Sequence, residues 1–240
     1  MGRAGISPLL QRQYSDQEGV RPKPWALSHQ LRRSLQFSLL IIQSDLRRLV
    51  PIRAPTLPLV IVASDARADG NTPPSGGYLA YDLQAGWKTA QWCVFPEPLL
   101  ASWDYPLAVR ASGGNPIALC EGAMVPLALL AMRRRLAHHR VLWFLDNTVS
   151  LHSLVKGSAK EPHLDRSISI AKFLQGVFKI QIWFEFVDSK GNWSDGISRL
   201  LQDDPFVYRH HFPVSELVPD ATFWTEDLEI LWHRILAMTP

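Results

Sequence analysis

The chain has 240 residues, 47% of them hydrophobic, enough to bury a substantial core in one main unit with appendages. A net charge of +3 is compatible with a polyanionic partner without requiring one, and two cysteines, Cys93 and Cys120, exclude a disulfide framework and match no zinc-ligand spacing. No segment approaches the roughly 20 apolar residues of a membrane helix, and the N-terminal "MGRAGISPLLQRQYSDQEG" lacks the apolar region of a secretory leader; the expectation is an intracellular protein of cytoplasm or nucleus, not secreted and with no membrane partner.

Residues 1–24 are polar and punctuated. From 24 to 50 apolar residues recur at helical spacing between basic ones, predicting one helix or two short ones, and "PIRAPTLP" (51–58) then favours an extended linker. Three strands follow: the β-branched run "LVIVASDAR" (59–67), then "GGYLAYDL" (76–83) and "WKTAQWCVF" (87–95), which alternate. The short turn between the last two suits a hairpin, so the three read as an antiparallel meander. In "NPIALCEGAMVPLALLAMRRRLAHH" (115–139), Asn115 is placed to cap a helix with Pro116 at its first position. "RVLWFLD" returns to strand; "NTVSLHSLVKG" is a short helix stopped by Gly157; 161–178 is another helix; "KIQIWFEFVDS" (179–189) is a fifth strand. "SDGISRLL" (194–201) reads as a short helix capped by Ser194, and 225–236 as an amphipathic helix that docks on a partner or a neighbouring segment. The class is therefore a mixed α/β sheet of five strands flanked by helices, not a regular βαβ repeat.

Four acids fall at element ends or helix starts. Asp65 closes the first strand, Glu121 lies early in a helix, Asp146 closes the strand "VLWFL" and Asp195 opens the short helix. A carboxylate at the end of an apolar strand loses water and needs a donor or a cation to stay charged. If strands one and four are neighbours, their ends bring Asp65 and Asp146 together, at the edge where α/β sheets place their sites. Clustered carboxylates repel one another, and hard oxygen ligands select Mg2+ or Mn2+; two such ions about 4 Å apart form the clamp for in-line displacement at phosphorus. Taken singly, Asp65 suits a turn and Glu121 a helix N-terminus; it is the four together that point to a metal site. Pro126 and Gly122 bear on Glu121: a helix starting only at Pro126 would displace that acid from the cluster, with Asp69 as the competing carboxylate near Asp65.

The segments "VIVASDAR", "ALCEGAMVPLAL", "VLWFLDNTVS" and "FVDSKGNWSDGISR" resemble the four acid-bearing segments of the ribonuclease H domain of retroelement reverse transcriptases. The last is the most specific, matching "S-x-x-N-x-x-D-x-x-S-R" at Ser189, Asn192, Asp195, Ser198 and Arg199. The resemblance covers roughly 56–202. Residues 1–55 resemble the connection between polymerase thumb and ribonuclease H domain, and 203–240 form a C-terminal tail. "QDDPF" at 202–206 lies after the last segment, in the wrong context for polymerase aspartates.

The resemblance implies a ribonuclease H-like fold and hydrolysis of the RNA strand of an RNA–DNA hybrid. Two Mg2+ ions, replaceable by Mn2+, would be held by Asp65, Glu121, Asp146 and Asp195, with Asp65 bridging both. Asn147, Asn192 and Arg199 would contact substrate, and a reverse transcriptase polymerase domain would act in cis or in trans. A second reading of the same residues is an inactive remnant that keeps the fold as a nucleic-acid-binding or structural module; an integrase or exonuclease on the same fold is a third.

Overall fold

The computed structural model describes residues 29–43, 57–69, 72–105, 116–201 and 204–239. Residues 51–56 of the predicted linker 51–58, the proposed boundary at 55/56 and the cap Asn115 lie outside them. Within them the elements run α1 (His29–Gln43), β1 (Leu59–Arg67), β2 (Ser75–Asp82), β3 (Lys88–Val94) and α2 (Glu97–Ser102). The chain continues through α3 (Ile117–Leu136), β4 (Arg140–Leu145), α4 (Thr148–Lys156), α5 (Pro162–Val177), β5 (Gln181–Phe186) and α6 (Asp195–Ser198). It closes with α7 (Pro205–Arg209), β6 (Val214–Glu216), α8 (Thr222–Thr225) and α9 (Leu228–Leu236).

The sheet order is β5-β4-β1-β2-β3-β6. β1, β2 and β3 form the expected antiparallel meander, while β1 with β4, and β4 with β5, are parallel. The sixth strand corrects the expected five: β6 is three residues long and pairs in parallel with β3. Its shortness hides it, because three residues carry no readable alternation.

Each strand's alternation decides which helix it meets. Val60 and Val62, Tyr78 and Ala80, and Val141, Trp143 and Leu145 are buried in the main core with Met124, Leu129 and Phe173 of the helices. Trp143 is fully buried and donates from Nε1 to Ser64 Oγ at 2.9 Å, which satisfies its one polar atom. On the opposite face Leu79, Ala90, Ile197 and Val207 make a smaller cluster beneath α6 and α7. Both cysteines are buried and free.

Helix α3 explains why its sequence lacks a clean amphipathic stripe: Cys120 through Leu129 are all buried, since the helix lies between the sheet and α5. It starts at Ile117 with Pro116 in the N-cap position rather than inside it, and it continues unbroken through Pro126. The missing N–H of Pro126 costs one hydrogen bond to the Gly122 carbonyl, and the packing on all sides offsets it. Helix α4 ends as its sequence predicts, with Gly157 in the left-handed region at φ 80°.

The predicted helix 225–236 begins at Leu228, as α9, and a separate short α8 precedes it. α8 and α9 are separated by extended Glu226, whose carbonyl accepts from Arg166 Nη2 at 2.6 Å while the same guanidinium holds the Phe223 carbonyl. Of the two expected occupants, a partner or a neighbouring segment, the apolar face of α9 meets segments of its own chain: Leu231, Trp232 and Ile235 are buried against α5 and α1, and the Trp232 ring lies 4.9 Å from that of Phe173.

The neighbouring glycines of β2 let two helices approach one strand from opposite sides. A Cβ on Gly76 would lie 2.4 Å from Met124 Sδ of α3, and one on Gly77 2.5 Å from Ile197 Cγ2 and 2.9 Å from its carbonyl carbon in α6. Gly77→Ala is expected to push α6 off the sheet and to destabilise the fold by about 1–3 kcal/mol. A thermal melt checks it, and a melting temperature equal to wild type would show that α6 has room to spare.

Candidate metal centre

Parallel pairing of β1 with β4 runs from Leu59↔Arg140 to Ala63↔Phe144 and stops there. Beyond it β1 goes on to Arg67, so Asp65 lies inside the strand, paired only with Gly77 of β2, and Asp146 follows the last residue of β4. The ends of two neighbouring strands thus diverge around a gap, the place a parallel sheet provides for a site.

Asp65 is buried, and its Oδ2 accepts from the Ser198 hydroxyl of α6. Glu121 reaches the same point from α3, on the opposite side of the sheet. It is 2% exposed; Oε1 accepts from the Ala66 N–H at 3.0 Å, and Oε2 is buried with no hydrogen-bond partner. Asp146, half-buried, completes the group: Asp65, Glu121 and Asp146 each offer a carboxylate oxygen within 4.8 Å of the others. The displacement of Glu121 that a helix starting only at Pro126 would cause does not occur, because α3 begins nine residues before that proline.

Burial pushes the Glu121 carboxyl well above its ordinary value, and the neighbouring charge of Asp65 adds to this. Burial raises Asp65 as well; the Ser198 hydrogen bond opposes it, and the charges of Asp146 and Asp195 add to the rise. Three carboxylates this close, one with an orphaned oxygen, are satisfied by a shared proton or by a cation. The all-oxygen donor set suits a hard divalent ion such as Mg2+, Mn2+ or Ca2+. The residues present therefore fit a divalent metal.

Asp195, the fourth predicted acid, stands at the margin. Its side chain is 45% exposed, its Oδ1 accepts from Arg199 Nε at 3.0 Å, and it is outside the group of three. Arg199 is therefore an ion-pair partner of Asp195 in this state. Asn147 uses its Oδ1 to cap α4, accepting from the Ser150 N–H at 3.0 Å. Asn192 is buried, donating to the Ser64 carbonyl and accepting from both the N–H and the hydroxyl of Ser194. It is a strut between β1 and the loop before α6. Ser194, expected to cap α6 through its side chain, gives its hydroxyl to Asn192 instead.

Asp69, the competing acid, is exposed and pairs with Arg67 and Thr72, as turn chemistry predicts. In the run Arg133, Arg134 and Arg135, Arg133 Nη1 donates to the Leu130 carbonyl and Arg135 lies over the Trp87 ring. Two functional positions escaped the sequence. Ser198, a letter of the quoted motif, holds Asp65; Gly77 makes room for the helix that carries Ser198. The pair "GG" inside an alternating strand was the signal for the second.

No family model matches the chain, and no curated protein matches it. Among solved structures it is similar to RNase H1 of the halophilic archaeon Halobacterium salinarum NRC-1, with 16% identity over 61% of this chain and 98% of that one at a TM-score of 0.44. It is similar to the N-terminal RNase H domain of a Mycobacterium tuberculosis protein fused to maltose-binding protein, with 15% identity, 63% and 98% coverage and a TM-score of 0.44. A third is the foamy viral protease-reverse transcriptase in complex with an RNA/DNA hybrid, with 12% identity over 84% of this chain and 28% of that one at a TM-score of 0.37.

Raised carboxyls make the metal-free fold hold protons that the unfolded chain has released. Stability is therefore undiminished at pH values below the ordinary carboxylate range and falls as pH rises through the folded-state values of Asp65 and Glu121. In EDTA the melting temperature is expected to fall between pH 5 and pH 8. Mg2+ at about 100 times its Kd should restore about 2.7 kcal/mol at pH 8, or about 5–10 °C, and far less at pH 5. Glu121→Gln should flatten the EDTA profile and remove most of the Mg2+ response. A profile in which neither pH nor Mg2+ moves the melting temperature would sink the metal centre.

Proposed function

We propose that this chain is a metal-dependent nuclease that hydrolyses phosphodiesters, with the RNA strand of an RNA–DNA hybrid as substrate and Mg2+ as its cofactor. The observation that carries the reading is the convergence of Asp65, Glu121 and Asp146 from a strand, a helix on one sheet face and a second, parallel strand. The sequence resemblance to retroelement ribonuclease H domains selects the hybrid, and the retroelement setting, with a polymerase domain in cis or in trans, is part of the same proposal.

Bound divalent cations supply Lewis acidity and charge neutralisation at a phosphoryl group. The chain's own contribution is positional. Asp65, fixed by Ser198, and Glu121, fixed by the Ala66 N–H, present oxygens that cannot swing away because both side chains are buried. Asp146 is set by the end of β4 on one side and the start of α4, capped by Asn147, on the other. Asp195 is near enough for its charge to act on Asp65, and release from Arg199 would let it join the donor set. Arg199, once released, is a free guanidinium beside the site and suited to a substrate phosphate. A hybrid would be recognised through its groove shape, 2′-hydroxyls and phosphates rather than base edges.

Labelled RNA–DNA hybrid, single-stranded RNA and duplex DNA are offered with Mg2+ or Mn2+. The wild type is expected to cut the RNA of the hybrid alone, and Asp146→Asn to lose about 10²–10³-fold in rate, the equivalent of several kcal/mol of charge stabilisation. No cleavage by a folded wild type in either metal would transfer the reading to an inactive module that keeps the fold.

A further inference from the structure

The face of β1 that carries Asp65 also carries Ile61 and Ala63, and with Leu79 and Tyr81 of β2 these form the floor of a second feature. It is a groove of about 320 Å³ on the α6 and α7 side of the sheet, walled by Trp193, Phe206 and Phe212. Trp193 belongs to the loop just before Asp195, so groove and metal centre share a strand face and a loop.

The walls have a defined chemistry. Trp193 and Phe206 are parallel within 1°, with ring centroids 5.8 Å apart; Phe144 meets Trp193 edge-on at 5.6 Å, and Trp193 remains 41% exposed. Lys88 lies 5.5 Å from the Tyr81 ring and 5.7 Å from that of Phe212, and its Nζ donates to the His210 carbonyl at 2.9 Å. An ammonium has three donors, so two remain. His210 adds an imidazole, and no carboxylate lines the groove among the described residues. Size, rings and charge select the occupant: the volume is at the small end for ligand sites, too small for a helix, and fits one flat group carrying an anion.

We propose that the groove binds an unpaired nucleotide of single-stranded nucleic acid, its base stacked on the aromatic wall and its phosphate at Lys88. The choice of nucleic acid rests on the nuclease reading above; the aromatic wall and the cation do not. Stacking of a base on an aromatic ring is tolerant of sequence, so this contact would hold a strand end or an overhang beside the cutting site without reading its bases.

The test uses the full chain in EDTA with fluorescein-labelled short oligo(dA), followed by anisotropy at low salt, and hybrid cleavage is measured separately in Mg2+. Saturable binding is expected, weakened about tenfold by Phe212→Ala and by Lys88→Ala. Lys88→Ala removes no core packing, so it reports even if Phe212→Ala fails to fold. Binding that is absent in the wild type, or unchanged in folded Lys88→Ala, overturns the proposal. So does saturable binding of a labelled glutamate-rich peptide, lost in Lys88→Ala, with no oligonucleotide binding; the groove would then belong to a protein partner. Hybrid cleavage without oligonucleotide binding leaves the nuclease reading standing and removes the groove, and the reverse result separates them the other way.

Discussion

Mutual repulsion of buried carboxylates is the constraint around which this molecule is arranged. Asp65 and Glu121 are both nearly inaccessible to water, and Asp146 brings a third acid within 4.8 Å. A fold under selection for stability alone has no reason to assemble them, since a buried ion without a partner costs several kcal/mol. The surrounding structure resists their separation. α3 holds Glu121 from one face of the sheet, Ser198 of α6 holds Asp65 from the other, and the parallel pairing of β1 with β4 brings in Asp146.

The support extends a layer further. Ser64 serves two struts at once: its hydroxyl accepts from Trp143 in the core and its carbonyl from Asn192 in the loop that leads to Asp195. One strand residue next to Asp65 therefore links the core of β4 with the loop before α6. Gly122, which follows Glu121, would place a Cβ 2.2 Å from Leu164, so the close seating of α3 on α5 also rests on a missing side chain.

Much of this was legible in the sequence, and for physical reasons. Strands β1 to β5 announce themselves by alternation or β-branched runs, and Gly157 ends α4 because without a Cβ it takes the left-handed conformation freely. The three converging acids were legible because each follows or interrupts an apolar run, although Asp65 proves to lie two residues inside β1 and only Asp146 directly follows a strand end. What escaped depends on contacts distant in sequence. Whether α3 starts only at Pro126 is settled by packing around that residue, β6 has three residues and pairs with the edge that β3 offers, and α9 finds its partner in α1 and α5. The resemblance implies Asn192 as a substrate contact, and nothing local in the sequence reveals its hydrogen bond to the Ser64 carbonyl.

The uneven exposure of the carboxylates has a kinetic consequence. Asp65 and Glu121 are sealed beneath helices, whereas Asp146 is half-buried and Asp195 more open still. A divalent cation bound as proposed would cross the rim formed by these two aspartates and meet the sealed pair last. The rim would then govern how fast such an ion came and went, and the sealed pair how tightly it stayed. With Asp195 paired to Arg199, that rim would work as a latch.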